Sequence, residues 1–358
     1  MRMKQLKKQI SGVLLGVVLT ALAPYTVADF KSGLDAANRG DFNAAQKEWK
    51  ALAQKGDAES QYNLGALLLS GKLGQQDPKK AVAWIEKAAN QGHVEAANAL
   101  GMLYHTGSKE FAQDFKKAYK YFLVAAKKGN PPAQFGLGVM LLNGQGVKKD
   151  VAAGADWVRK AAEQGHVMAQ YSLGVFYASG QSGKKQPEDA YKWFFKAADQ
   201  GLPGAQYNVA RMNMDGQGVA MDIAAAKSWL TRAADKGHIE AQYALGVMAY
   251  IGVGEPKNPA DALKWLQRAA KGWDRGAQFL LGRLYMDGDG VKADPLEAYK
   301  WFDLAASSGH DDAHFYRAAV AAKLSATDRE KAHKAAQEWF DSNHSNPHKH
   351  YDLKPHHH

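Results

Sequence analysis

The sequence predicts an all-α protein, a solenoid of stacked helix pairs, on three observations. The phrase Trp-x-x-x-Ala-Ala-x-x-Gly recurs from Trp84 to Trp301, glycines return about every 36 residues, and an Asp or Asn marks a helix start in most intervals. A chain that repeats one phrase at this period stacks equivalent units rather than folding around one irregular core. With 46% hydrophobic and 10% aromatic residues it has ample material for a continuous core.

Residues 1–28 read as a cleavable signal peptide. Arg2, Lys4, Lys7 and Lys8 precede an apolar run from Ile10 to Ala23, and the small Thr26 and Ala28 stand at a cleavage-like spot before Asp29. The run is interrupted by Ser11, Gly12 and Gly16 and falls short of the roughly 20 apolar residues a membrane span needs. The expected address is periplasmic or secreted, with no transmembrane anchor after cleavage. The chain has no cysteine, which excludes disulfide stapling and a diacyl lipid anchor. Loss of the leader's four positive charges takes the net charge from +10 to about +6, only mildly basic.

Residues 29–56 are expected to form an N-terminal capping helix pair, with a tight Arg39-Gly40-Asp41-Phe42 turn and Trp49 one residue out of phase with later tryptophans. The array follows over residues 57–325 as about seven to eight units. Its glycine ruler is Gly56, Gly92, Gly129, Gly165, Gly201, Gly237, Gly272 and Gly309. A second ruler runs through Asp77, Asp114, Asp150, Gln186, Asp222, Asn258 and Asp294, and Pro78, Pro187, Pro259 and Pro295 follow directly. An Asp or Asn side chain can accept a free amide of the first turn, and proline suits the first helical position. Each unit therefore holds a helix B that starts at this cap and ends at a glycine in the left-handed conformation. Its expected core face is Ala81, Trp84 and Ala88, then Ala190, Trp193 and Ala197.

Helix A precedes the cap and carries Ala-x-x-x-Leu-Gly-x-x-Tyr, as in Ala169, Leu173, Gly174 and Tyr177. Glycine inside a helix costs about 1 kcal/mol relative to alanine. Its return at Gly65, Gly101, Gly138, Gly174, Gly246 and Gly282 predicts close approach by a Trp or Tyr of a neighbouring helix. After the array, Thr327 and Glu330 suggest a capping box opening a polar C-terminal capping helix over 326–341. Residues 342–358 contain two prolines and no periodicity, the pattern of a disordered tail.

These motifs together resemble the Sel-1-like repeat, a relative of the tetratricopeptide repeat, over about residues 57–323. The resemblance implies a right-handed α-α superhelical solenoid whose A helices line a concave face. It further implies adaptor roles in envelope, secretion or motility complexes, in control of cell-wall enzymes, or in host contact.

No convergent catalytic set is legible. His93, His166, His238 and His310 follow unit-ending glycines two units apart, too far to share a metal, and read as turn or capping residues. Gly144-Gln-Gly146, Gly216-Gln-Gly218 and Gly288-Asp-Gly290 lack the strand and the Lys-Ser/Thr of a phosphate cradle. Scattered lysines speak against nucleic acid.

On helix A a row of Gln61, Gln134, Gln170, Gln206, Gln242 and Gln278 reads as a solvated ladder beside aromatics that pack between repeats, while the resemblance implies the alternative that part of the row faces a ligand. Positions that vary between units suit recognition better, because a structural role would repeat. The candidates for a protein or peptide partner are Asn63, Asn98, Ser172, Asn208, Arg211 and Arg283, with Tyr171, Tyr207 and Tyr243. The tail's His344, His348, His350, His356, His357 and His358 can bind divalent zinc, copper or nickel weakly.

The expected function is a non-enzymatic scaffold of the bacterial cell envelope, without a cofactor. Two alternatives stand beside it: metal binding by the tail, and a cell-wall glycan or β-lactam-related binder or hydrolase like some exported relatives. The paired cysteines of those relatives and a Ser-x-x-Lys are missing here.

Overall fold

The computed structural model describes residues 27–343 apart from Gln75 and Ser182, and every regular element among them is a helix. The leader up to residue 26 and the six tail histidines lie outside the described residues. Two compact units divide between Leu173 and Gly174. The first holds α1 (Val27–Asn38), α2 (Phe42–Gln54), α3 (Ala58–Ser70), α4 (Pro78–Asn90), α5 (Val94–Thr106), α6 (Phe115–Lys127), α7 (Pro131–Asn143), α8 (Val151–Glu163) and the start of α9 (Val167–Ser179). The second holds the rest of α9, then α10 (Pro187–Asp199), α11 (Pro203–Asp215), α12 (Ile223–Asp235), α13 (Ile239–Ile251), α14 (Pro259–Lys271), α15 (Arg275–Asp287), α16 (Pro295–Ser307), α17 (Ala313–Ala321) and α18 (Ala326–Asn343). Helices α1 to α8 pack each on the next in sequence, as do α10 to α16, the stacking of an α-α solenoid. From α1 to α17, odd numbers are A-type helices and even numbers B-type; α18 is a terminal helix outside this alternation.

The B-type helices begin where the sequence places them. The side chains of Asp77, Asp114, Asp150, Asp222 and Asn258 each accept the amide three residues on, at 2.8–3.2 Å. Left-handed glycines follow their C-termini at Gly56, Gly92, Gly129, Gly165, Gly201, Gly237 and Gly309. Gly272 is a correction to the ruler: its φ is −82°, and the left-handed residue is Trp273 at 67°. Gly272 serves another need, since a Cβ there would stand 2.5 Å from Ile239. Trp273 holds its unusual backbone while its indole packs on Trp339 and Phe340 of α18 at 5.4 and 5.0 Å.

The core face holds the expected Ala81, Ala88, Ala190, Trp193 and Ala197, but the residue facing the helix A glycine differs from the expected one. A Cβ built on Gly65, Gly101, Gly138, Gly174, Gly246 or Gly282 would lie 2.5–2.7 Å from Ile85, Phe122, Val158, Phe194, Leu266 or Phe302 respectively. The side chain pressed against the glycine is thus the one after the tryptophan position, not the tryptophan. A buried helical stripe follows i, i+4, i+7 and i+8, which Ala81, Ile85, Ala88 and Ala89 satisfy. A tryptophan at i+3 falls on its edge, so Trp84, Trp157, Trp229 and Trp265 are half-buried under Lys87, Lys160, Arg232 and Arg268 at 4.1–4.5 Å, whereas Trp193, on the expected core face with Ala190 and Ala197, and Trp301 are buried. In α2 the one-residue phase shift puts Trp49 at the inner position, 5% exposed and against Gly33.

The glycine loops join repeats at their A-to-B turns. Gly218, with φ 72°, lies against Pro187 at the start of the preceding B-type helix, where a Cβ would stand 2.2 Å from the Pro187 carbonyl oxygen. At the C-terminus the expected capping box is replaced by one starting two residues earlier: Ser325 Oγ accepts from the Asp328 amide at 3.1 Å and donates to the Asp328 carboxylate at 2.8 Å. The helix it opens ends at Asn343, so Ser342 and Asn343 belong to α18 rather than to the tail. No helix of the described residues is long and apolar enough to cross a membrane.

Candidate partner-binding surface

The surface under test is the N-terminal half of the A-type helices. Two recurrent side chains fix it. The glutamines are buried and not a solvated ladder: Gln61, Gln134, Gln170, Gln206 and Gln242 each donate Nε2 to the carbonyl eight residues back, near the end of the preceding B-type helix, at 3.0–3.3 Å. The amide oxygens of Gln61 and Gln134 also bind onward, Gln61 accepting from Gln91 and Gln134 from Gln164 at 2.8 and 2.7 Å, whereas Gln206 Oε1 is buried without a partner. A buried amide is tolerable because it is bonded, and its bonds fasten successive helices.

Three of the four histidines cap A-type helices, while His310 Nδ1 is buried without a hydrogen-bond partner. The Nδ1 atoms of His93, His166 and His238 accept the amides of Ala96, Ala169 and Ala241 at 3.2–3.3 Å, so the ring proton sits on Nε2. Each ring lies against an aromatic of the preceding repeat: Tyr62 on His93, Phe135 on His166, Tyr207 on His238 and Phe279 on His310, with centroids 4.2–5.0 Å apart. His93 Nε2 also pairs with Glu59 at 2.8 Å, and that bond holds the Glu59 carboxyl below the usual range.

Burial likewise lowers the pKa of His166 from 6.5. Only the neutral ring can accept the Ala169 amide, so the folded state resists the proton that the unfolded chain takes up. Stability from this group is full above pH 6.5 and is lost as pH falls through the lowered folded value. Replacing His166 by Ala should cost about 1 kcal/mol at pH 7.5. His166→Asn, which caps without titrating, should flatten that part of the stability profile between pH 7.5 and 5. Thermal unfolding of both variants across that range measures the effect.

The varied candidates stand beside these fixed elements in different states. Asn63 and Asn208 bond back to the carbonyls of Glu59 and Gly204 at 2.9 Å. Asn98 approaches Met102 Sδ at 3.9 Å, and Ser172 and Tyr171 are half-buried. Tyr207 is held under His238, while Tyr243 lines a shallow hollow with Asp274, Arg275 and His310. Arg283 is committed to Asp287 at 3.2 Å and to the Tyr316 hydroxyl at 3.1 Å. Arg211 is exposed, its guanidinium 6.0 Å from the Tyr207 ring centre. No group of three or more His, Cys, Asp or Glu able to hold a metal occurs among the described residues.

Sequence reasoning missed one polar cluster. Asp303 of α16 is fully buried and accepts from Arg317 Nη1 at 2.5 Å, and its other oxygen meets His333 Nδ1 at 2.8 Å. These bonds tie α17 and α18 to the last full repeat. The equivalent position elsewhere carries Glu86, Leu123, Arg159, Phe195, Thr231 or Gln267, so periodicity gave no signal.

Comparison with known proteins matches this arrangement. The family described as "Sel1 repeat" fits seven successive segments, residues 58–93, 94–130, 131–166, 167–202, 203–238, 239–272 and 276–310. Among solved structures, a Sel1 repeat protein from Oxalobacter formigenes is 28% identical, with TM-score 0.63 over 86% of this chain and 98% of that one. A protective antigen of uropathogenic Escherichia coli with an SLR fold is 26% identical, with TM-score 0.51 over 88% of this chain and 84% of that one. Among curated proteins, an ERAD-associated E3 ubiquitin-protein ligase component, HRD3B of Arabidopsis thaliana, is 36% identical over 100 residues. That match spans 28% of this chain and 15% of that relative's length.

Proposed function

Because the chain belongs to the Sel1 repeat family, whose repeats mediate protein–protein interaction, we propose that it is a non-enzymatic adaptor of the bacterial cell envelope. It holds a protein or peptide partner on the outer face of its A-type helices. The envelope address rests on the leader pattern of residues 1–28. The scaffold role rests on a division of labour within the A-type helices. Residues that recur, the glutamines and cap histidines, are consumed in fastening repeats, while Asn208 and Arg211 vary between units and stand outside the core. A surface held this rigidly orders little on binding and so loses little entropy.

Arg211 is the residue to test. Its planar guanidinium beside an aromatic ring suits a carboxylate-bearing segment. Arg211→Glu should leave stability within about 0.5 kcal/mol, as expected of an exposed side chain. It should lower recovery of partners crosslinked in the native envelope by about tenfold, the loss expected of an arginine hot spot. Unchanged recovery with an unchanged fold removes this face from the account. Arg283→Glu is the contrasting variant, since it also breaks the contact with Tyr316.

A further inference from the structure

The last A-type helix is left without the cover that its counterparts have. In the seventh repeat Gln278 is fully buried, Phe279 stacks on His310, and Gly282 takes the Phe302 ring against its backbone. At the same positions on α17 stand His314, Phe315 and Ala318, and all three are exposed, Phe315 by 73%. Ala319 and Ala322 are exposed beside them. Phe315, Ala318, Ala319 and Ala322 follow i, i+3, i+4 and i+7 spacing, so they form one continuous apolar stripe.

The next helix does not close it. α18 packs on α16 and spends Trp339 on Trp301 and Trp273, at 5.1 and 5.4 Å. Among the described residues an eighth repeat thus starts with an A-type helix, and no B-type helix lies on its inner face.

We propose that this stripe docks an amphipathic helix of a partner protein, which completes the eighth repeat in trans. The established helix A to helix B interface says what that helix must carry. Every full repeat covers the Gly or Ala register with a B-type helix, and in α10 the covering residues are Ala190, Phe194, Ala197 and Ala198, all buried. The partner helix therefore carries a small residue, a large apolar residue four positions on that lodges against Ala318, and two small residues three and four positions after that. It runs over α17 as a B-type helix runs over its A-type neighbour. This surface is separate from the one that includes Arg211, and neither proposal depends on the other.

The chain's own B-type helix provides the probe. A peptide of residues 259–271, which holds the pattern as Ala262, Leu266, Ala269 and Ala270, is locked as a helix by an outer-face i,i+4 lactam and labelled for anisotropy. Titrated against the full chain, it should bind. Binding should weaken at least about tenfold when the peptide carries Leu266→Asp or the chain carries Ala318→Arg, the loss expected at the centre of an interface. Ala318→Arg should leave the melting temperature unchanged, because the site is open. A benzophenone side chain placed at position 319 should crosslink to the peptide. Absence of binding overturns the proposal, as does equal binding of the two peptides. Crosslinking of position 319 to a second copy, or to the same chain's own residues, assigns the stripe to another occupant and overturns it too.

Discussion

Gly174→Leu is expected to destabilise the second unit by about 3 kcal/mol or more, at the upper end of what overpacking a filled core costs. Two effects oppose each other. A side chain in place of glycine favours the helix by up to about 1 kcal/mol. Against this, the first added carbon would stand 2.6 Å from Phe194 Cδ1 and 2.9 Å from its Cγ, and the Cγ is anchored close to the α10 backbone. The ring is 3% exposed and cannot swing into solvent, so the helix pair is expected to part. The test of cause is a cycle with Phe194→Ala, which opens the space the leucine needs. The double variant should recover part of the loss, giving a coupling of about 1 kcal/mol or more. Because a stacked array can open locally, the readout is hydrogen exchange of amides in residues 174–199 rather than one melting temperature. A variant exchanging like the parent refutes the close packing.

The contrast with Gly272 shows what one sequence can and cannot say. Glycine spacing revealed the repeat because turns demand a left-handed residue at a fixed place. Punctuation of that kind depends on local backbone geometry alone and is legible. The ruler slipped where Trp273 took the turn, because the tertiary contact with α18 that supports it lies about 70 residues away in sequence. Helix B starts were legible for the same local reason, through Asp and Asn caps. The core register was not, since a large aromatic at i+3 and a smaller apolar residue at i+4 compete for one stripe, and only packing decides.

The glutamines make the same point for the candidate surface. Their recurrence was visible, but their bonds run to carbonyls of another helix, which no pattern along helix A reveals. The rule that structural residues recur while recognition residues vary classifies them correctly in retrospect. It leaves Arg211 as the exposed candidate and shows Arg283 engaged by Tyr316, a residue that exists in that place only because the eighth A-type helix follows. The stripe on α17 was hidden for a related reason. Phe315 continues the aromatic row of the earlier repeats, and although the helix B phrase stops at Trp301, sequence alone does not say whether the last helix covers the row in its place.

The second large effect belongs to Arg317→Ala, expected to cost about 3–5 kcal/mol, and the reason is which partner is left behind. Asp303 is buried to 1% at its side chain, whereas Arg317 and His333 keep 28% and 41% exposed. Removing the aspartate leaves two bases that water can still reach, so Asp303→Ala should cost less, about 1–3 kcal/mol for the lost bonds. Removing the arginine strands a carboxylate in the core beside a histidine that carries charge only when protonated. Asp303→Leu with Arg317→Met removes both charges together and should lie within about 1 kcal/mol of the parent, since a buried ion pair adds little over well-packed apolar groups. Urea unfolding and protease sensitivity of α17 and α18 measure the order. Should Asp303→Ala prove the more damaging single change, the carboxylate is contributing packing or helix contacts beyond its two ion pairs, and the asymmetry argued from exposure fails.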